Sequence, residues 1–383
     1  MTEERKAPSI RFKEFSGDVW KKRKLEEVAD RFDNLRIPVS ANKRKSGSIP
    51  YYGANGIQDY VDGYTHDGEY ILIAEDGAND LKDYPIKYVN GKVWVNNHAH
   101  VVQGRSKMVD TKFLAFAMKQ INIKPYLVGG GRAKLNADIM MKLPLKFPTL
   151  PEQRAIGSFF QELDQLITLQ QRKLEKSRRI KKSMLQKMFP EKEQTVPAIR
   201  FKEFLDDVWK KRKLEEVAEI TMGQSPNSEN YTDNPSDYIL VQGNADMKDG
   251  KVFPRVWTTQ VTKQGKEGDL ILSVRAPVGD IGKTDYNVVL GRGVAAIRGN
   301  EFIFQTLSKM KQNGYWNNLS TGSTFESINS NDIKSATIPL PSPPEQKVIG
   351  SFFQDLDKFI ALQQRRLDKL QNMKKALLEQ MMM

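Results

Sequence analysis

The chain has 383 residues, enough for two or three domains with sizeable cores, and no cysteine, which excludes disulfide and thiolate–metal frameworks and suits a reducing compartment. Its 60 basic and 47 acidic side chains give a formal net charge of +13, pointing to a polyanionic partner, while only three histidines argue against a histidine metal centre. No apolar run approaches the roughly 18 to 20 residues of a membrane span, and the charged start MTEERKAPSIRF lacks a signal-peptide core, so the expected compartment is the cytoplasm.

The first recognisable stretch is PSIRFKEFSGDVWKKRKLEEVAD at 8–30, which returns as PAIRFKEFLDDVWKKRKLEEVAE at 197–219 with 19 of 23 positions identical. Repeats of this kind set the architecture before any other reading. In each lead segment a tryptophan, Trp20 or Trp209, precedes the basic run KKRK, read as a solvated charged face, and KLEEVA, a short helix by composition. The tryptophans are expected to pack against the globular region that follows.

The region 31–150 alternates short apolar runs with Gly and Asn punctuation. SIPYYGANGIQDYV, EYILIAEDGAN, IKYVNGKVWVNN and HAHVVQG read as strands, and DTKFLAFAMKQI at 110–121 as a helix. His98 and His100 would share one face of a strand, an ordinary polar face. A glycine-rich stretch, GGGRAKLNADIMMKLPLKFP, closes the region. It holds 17 basic against 11 acidic residues, whereas 220–343 holds 12 of each, so charge alone does not mark both regions as nucleic-acid binders.

At Pro151 begins PEQRAIGSFFQELDQLITLQQRKLEK, matched from Pro344 by PEQKVIGSFFQDLDKFIALQQRRLDK; over 38 positions 22 are identical. Proline suits the first helical turn, and the glutamate after it suits the positive end of the helix dipole. Apolar residues recur at spacings of four and three: Ile156, Phe160, Leu163, Ile167 and Leu174 in one copy, Ile349, Phe353, Leu356, Ile360 and Leu367 in the other. Such a seam reads as coiled coil. Gln170 and Gln363, and further along Lys181 and Lys374, interrupt it at equivalent places, where polar groups fix register and orientation. Because each helix begins at the end of a globular segment, antiparallel pairing of the two copies is expected.

The second globular region offers DYILVQGNADMKDGKV, GDLILSVRAPVGDIGKT and VVLGRGVAAIRG as strands and EFIFQTLSKMKQ at 301–312 as a helix. Both regions run strands, helix, Gly/Ser loop, an N-D-I signal (Asn136 to Ile139; Asn331 to Ile333), proline and long helix. The expected fold is therefore α+β with a pseudo-two-fold internal repeat: two globular domains of similar architecture separated by two long helices in an antiparallel coiled coil. The segmentation is 1–150, 151–190, 191–343 and 344–383.

Catalytic signatures do not emerge. GGGR at 129–132 lacks the lysine and Ser/Thr of a phosphate loop, and PSPPEQ is not the Asn/Asp-Pro-Pro-aromatic motif of amino-methyltransferases. Glu75, Asp76 and Asp80 read as loop acids rather than magnesium ligands, so no catalytic residue, metal or cofactor is assigned. The loops instead carry groups suited to base edges, since Arg and Lys donate to guanine and Asn and Gln bond adenine. The candidate DNA-binding residues are Lys43, Arg44, Lys45, Tyr52, Asn55, Arg132, Lys134 and Asn136 in the first region, and Gln242, Asn244, Arg275, Arg292, Ser323 and Thr324 in the second. Two other readings stay open: a coiled-coil scaffold whose inserts bind protein, and a stand-alone DNA-modifying enzyme.

The repeated W-K-R-KLEEVA lead, two dissimilar inserts, the junctions GGGRAKLNADIMMKLPLKFPTLPEQ and GSTFESINSNDIKSATIPLPSPPEQ, and the IGSFFQ-LD--I-LQQR-L-K helices together resemble the DNA-specificity subunit of type I restriction–modification enzymes, over essentially the whole chain. The resemblance implies that each insert reads one half of a bipartite site in double-stranded DNA and that the helices set the gap. It also implies that two modification subunits dock on the frame, bringing S-adenosylmethionine-dependent adenine methylation, and that restriction subunits add ATP- and Mg-dependent translocation and cleavage. This chain would itself be non-catalytic.

Overall fold

In a computed structural model of the protein, residues 8–130, 133–191, 194–319 and 326–382 are described. The chain forms two compact units, Met1–Arg172 with Arg365–Met383, and Lys173–Gln364. Each long helix therefore gives one half to each unit. Among the described residues four helices reach nine residues or more: α1 (Thr111–Lys119), α2 (Leu150–Lys187), α3 (Glu301–Gln312) and α4 (Pro343–Met381). The α+β class and the internal repeat are both realised.

In the first unit a six-stranded sheet runs in the order Ala29–Arg31, Ala99–Gly104, His66–Ala74, Ile86–Val95, Ser46–Gly53, Gly56–Val61. Neighbours are antiparallel except the fourth and fifth, which are parallel through Tyr51↔Trp94 and Tyr52↔Val95. Asp110 caps α1 by accepting from the Phe113 N–H at 2.8 Å, and the helix buries Phe113, Leu114 and Phe116. Trp20 meets Phe113 edge-on at 5.8 Å, so the first lead-segment tryptophan packs against the globular region as expected.

The second unit follows the same plan with two sheets, of six and five strands. Its core gathers Trp209, Phe189, Phe302 and Phe353, with α3 capped by Asn300, whose side chain accepts from Ile303 N–H. KKRK is a short strand in both copies, Lys21–Lys24 and Lys210–Lys213, pairing antiparallel with Pro144–Phe147 and Thr337–Leu340 just ahead of the long helices. Most of its side chains point to solvent, as a two-stranded ribbon permits. The N-D-I alignment shifts by two residues. The helix caps are Asn136 and Asn329, so Asn136 corresponds to Asn329 rather than Asn331.

The PEQ motif does more than place a charge at a helix start. Glu152 accepts two hydrogen bonds from the Arg11 guanidinium, at 2.8 and 2.6 Å, and Glu345 accepts two from Arg200, at 2.9 and 2.7 Å. Both glutamates are fully buried. Gln153 and Gln346 then donate to Pro148 O and Pro341 O at 3.0 and 2.9 Å. The glycine of IGSFF is a close-packing device: a Cβ on Gly157 would lie 2.6 Å from Asp110 Oδ1, and one on Gly350 would lie 2.9 Å from Glu301 Cβ. Each long helix thus presses against the N-terminus of a shorter one.

The helix pairing is antiparallel. In the first unit Lys374 of α4 bonds Asp164 of α2 at 2.5 Å; in the second, Lys181 of α2 bonds Asp357 of α4 at 2.6 Å. The 193-residue offset turns Asp164 into Asp357 and Lys181 into Lys374, so each pair is the image of the other, as only opposed helices allow. The lysines that interrupt the seam are therefore its register pins. Ile156, Phe160, Leu163, Ile167, Leu174, Ile349, Phe353 and Leu367 are buried, and so are Gln170 and Gln363; Leu356 and Ile360 are half-buried. The lead segments dock alike too, Ile10 N–H to Gln380 O at 3.2 Å and Ile199 N–H to Lys187 O at 2.9 Å.

Candidate nucleic-acid interface

In the first unit several loops are tied into one platform by hydrogen bonds. Asn96 N–H donates to Tyr52 O at 3.0 Å, and Glu75 N–H to His98 O at 2.9 Å. Asn55 clasps a neighbouring loop, its Nδ2 donating to Gly77 O and its Oδ1 accepting from Asn79 N–H, both at 2.9 Å. Leu135 N–H reaches Glu75 O at 2.7 Å, and Lys134 pairs with the Glu75 carboxylate at 2.9 Å. These bonds bring Tyr52, Asn55, Lys134 and Asn136 together. Tyr52 is buried, so its ring belongs to the core rather than to an exposed reading surface.

Beneath this platform lies an ionic cluster that sequence reading did not find. Asp33, Glu75 and His100 place ligand-type atoms within 4.8 Å of one another. Their partners are internal: His100 Nδ1 is 2.7 Å from Asp33 Oδ2, its Nε2 is 2.8 Å from Leu135 O, and Arg36 donates to Glu75 at 2.7 Å. Burial pushes the Glu75 carboxyl upward, but the hydrogen bonds from Arg36 and Lys134 outweigh it and hold the group below its ordinary range. The cluster is thus a cation-paired brace for the loop at 133–136. His98 and His100 diverge from a shared polar face, for His98 bonds Asp76 at 2.7 Å while His100 is buried.

Lys43, Arg44 and Lys45 sit elsewhere, at the start of Ser46–Gly53. Tyr52 lies seven positions beyond Lys45, roughly 23 Å along a strand. Arg44 stacks 4.1 Å over the Tyr51 ring and reaches Asp59 at 3.4 Å, while Lys43 and Lys45 are exposed. Nearer the 52–56 turn a groove of about 790 Å³ opens between that turn, the strand at 86–88 and helices α1 and α2; Lys87, Lys112, Lys119 and Arg172 line it. Burial, and then the charge of Lys374, hold the Lys119 ammonium below its ordinary range.

The second unit carries a comparable platform. Gly291 N–H donates to Val241 O at 2.8 Å, Arg292 N–H to Ser225 Oγ at 3.1 Å, and Val274 N–H to Gly293 O at 2.9 Å. The backbones touch: a Cβ on Gly293 would lie 2.0 Å from Gln242 O, and one on Gly223 equally close to Gly291 O. Only glycine permits such an approach. Gln242 is held at both ends, its N–H on Asp246 Oδ2 at 2.8 Å and its Nε2 on the Tyr231 hydroxyl at 2.7 Å; Asn244 opens the short helical turn Asn244–Asp246 that carries this acceptor. Gln242, Asn244, Arg275 and Arg292 thus gather on rigid loops. Arg132, Ser323 and Thr324 lie outside the described residues.

A second feature runs along the long helices. Leu166, Leu169 and Ile180 in α2 are between 42% and 48% exposed, and their 193-residue counterparts Phe359, Leu362 and Met373 in α4 between 41% and 48%. Leu166, Leu169 and Met373 flank the Asp164–Lys374 pair in the first unit, and Phe359, Leu362 and Ile180 flank Asp357–Lys181 in the second. Each unit thus presents one apolar patch. Side-chain identity differs at two of the three positions while apolar character is kept, a signal present in the aligned repeats but hidden by the stronger seam. Among the described residues no helix is long and apolar enough to cross a membrane.

Comparison with known proteins gives a consistent answer. Residues 18–177 and 206–372 both match the family described as "Type I restriction modification DNA specificity domain". A putative type I restriction enzyme specificity subunit of Haemophilus influenzae is 46% identical over 142 residues, 37% of each chain. The putative MjaX specificity subunit of Methanocaldococcus jannaschii is 28% identical over 285 residues, 70% of this chain and 65% of that one. The chain therefore spans less than two thirds of the length of either relative. Among solved structures, the type I restriction–modification S subunit from M. genitalium superposes with a TM-score of 0.75 at 14% identity, covering 98% of this chain and 99% of that one; the likeness is one of fold.

Proposed function

Since this chain belongs to the type I restriction–modification DNA-specificity family, we propose that it is the non-catalytic subunit that chooses the DNA sequence on which a modification and restriction complex acts. The observation that carries this reading is the repeated frame with two unlike loop platforms. One frame places equivalent loops in both units, and the loops differ in the side chains they carry, Asn55, Lys134 and Asn136 against Gln242, Arg275 and Arg292, of which Asn55, Lys134 and Gln242 also hold neighbouring groups in place. A bipartite site with two different halves is what such a molecule would read. Helix α2, with 38 residues, is roughly 57 Å long at about 1.5 Å per residue. That suffices to set a gap of one helical turn of DNA, about 34 Å.

The two equivalent apolar patches suit two copies of one partner, taken to be the modification subunit. S-adenosylmethionine, ATP and Mg would then belong to the partner subunits, as would the chemistry of methylation and cleavage. The test is to assemble the chain with its modification subunits, select from a randomised duplex pool at fixed salt, and sequence the retained DNA. The expected motif has two unlike short halves at a constant gap; retention without sequence preference would sink the reading.

The first domain's basic loops have a separate signature. Lys43 and Lys45 are exposed and Lys87, Lys112, Lys119 and Arg172 line one groove. Each phosphate contact contributes about 0.9 to the slope of log affinity against log salt. Replacing Lys43 and Lys45 by alanine should flatten that slope by roughly 1 to 2 while leaving the selected motif unchanged. An unaltered slope would remove these lysines from the phosphate contacts.

A further inference from the structure

The ladder between Leu270–Ser273 and Val294–Arg298 ends at the pair Ser273↔Val294. The Val274 N–H still reaches Gly293 O at 2.9 Å, so the register continues for one more pair. Arg275 follows on one strand, while on the other side Arg292 lies in a turn closed by Val294 N–H on Gly291 O at 3.2 Å, so the two arginines flank this last bond. Both arginines are exposed, and among the described residues neither guanidinium has a hydrogen-bonding or ion-pairing partner. Two neighbouring cations in this state are suited to acceptors from outside the chain.

Their backbones are fixed. Arg275 bridges Ser327, and its turn is held by the Lys311 ammonium on Val278 O at 2.5 Å and by Gly279, where a Cβ would lie 2.3 Å from Trp316. Arg292 stands between Gly291 and Gly293, both pressed on Gln242. A side chain that reads a base needs such a pre-set origin. A phosphate contact makes no such demand.

The first unit gives the contrast. Its ladder ends at Ala74↔Ala99, Glu75 N–H reaches His98 O at 2.9 Å, and that bond is flanked by Asp76 and, in a turn, Asn97. Asp76 bridges Lys134 as Arg275 bridges Ser327, so the two positions are equivalent. Where one domain presents two guanidinium groups, the other presents a carboxylate, bonded by His98, and an amide. Guanidinium donates two parallel hydrogen bonds that match guanine O6 and N7, which a carboxylate repels.

We propose that Arg275 and Arg292 are the guanine-reading pair of the second recognition domain, and that the corresponding position of the first half-site, faced by Asp76 and Asn97, is not selected for guanine. This assignment rests on the specificity reading given above. The experiment uses the complete complex with its modification subunits, carrying Arg275→Ala, Arg292→Ala or Arg275→Lys, and sequences the duplexes retained from a randomised pool at fixed salt. Each alanine variant should lose guanine selectivity at one position of the second half-site by roughly 5- to 150-fold, with the first half-site and the gap unchanged. Arg275→Lys keeps the charge and loses the planar fork, so selectivity should fall while affinity for random duplex is kept. Its unfolding midpoint, read alongside, should match the parent and so separate lost reading from lost folding. Equal weakening on all sequences would make the pair phosphate contacts and overturn the assignment, as would an unchanged motif. A parent complex with no bipartite motif would instead overturn the specificity reading, and this assignment with it.

Discussion

Glu345→Ala is expected to destabilise the second unit by about 3–5 kcal/mol, the usual effect of removing one partner of a buried ion pair. Arg200 and Glu345 have side chains only 2% and 0% exposed, and the two hydrogen bonds between them raise the affinity of the guanidinium for its proton. The substitution leaves that cation buried with only the Leu205 and Asp207 carbonyls. It also strips the Trp209 indole N–H of its acceptor, at 3.0 Å. In the first unit Glu152 holds Arg11 in the same way, but among the described residues the Trp20 indole nitrogen has no hydrogen-bond partner. Glu345→Ala should therefore exceed Glu152→Ala by about 1.5–3 kcal/mol, the worth of one hydrogen bond to a charged acceptor. Urea unfolding followed by tryptophan fluorescence measures both. Equal midpoints for Glu345→Ala and the parent would mean that the clasp contributes nothing to stability.

This clasp marks where the amino-acid sequence is legible and where it stops being so. The repeated helices announce themselves, because a seam of Ile156, Phe160, Leu163 and Ile167 needs only local periodicity. Their antiparallel pairing follows from the order of segments, and Lys181 and Lys374 are recognisable as interruptions before Asp357 and Asp164 are known as partners. Glu152 and Glu345 are seen only as dipole-matched residues, since their arginines lie 141 and 145 positions away. Asn55 and Lys134 look like free reading groups until the fold shows each engaged with a neighbouring loop. Arg275 and Arg292 can be picked out singly as cations in glycine-flanked turns. Their proximity depends on the Val274–Gly293 bond between separate segments, which no local pattern encodes.

The second large effect concerns assembly rather than stability. Leu166→Glu with Leu169→Glu in the first unit, and Phe359→Glu with Leu362→Glu in the second, change residues already about half exposed. Surface changes away from buried features stay within about 0.5 kcal/mol, so unfolding midpoints should be unmoved. Docking of modification subunits on these patches would bury the same side chains, and truncating an interface hot spot costs about 2–4 kcal/mol, most for an aromatic such as Phe359. A buried glutamate adds the penalty of an unpaired charge. Each double variant should therefore weaken one docking site by at least roughly 100-fold and leave the other intact, because the patches belong to separate units. Native mass spectrometry of the assembled complex would then show one modification subunit on each double variant, and none on the quadruple variant. A quadruple variant that still carries two would place the docking surface elsewhere, and the recurrence of apolar side chains at 166, 169 and 180 and again at 359, 362 and 373 would need a different cause.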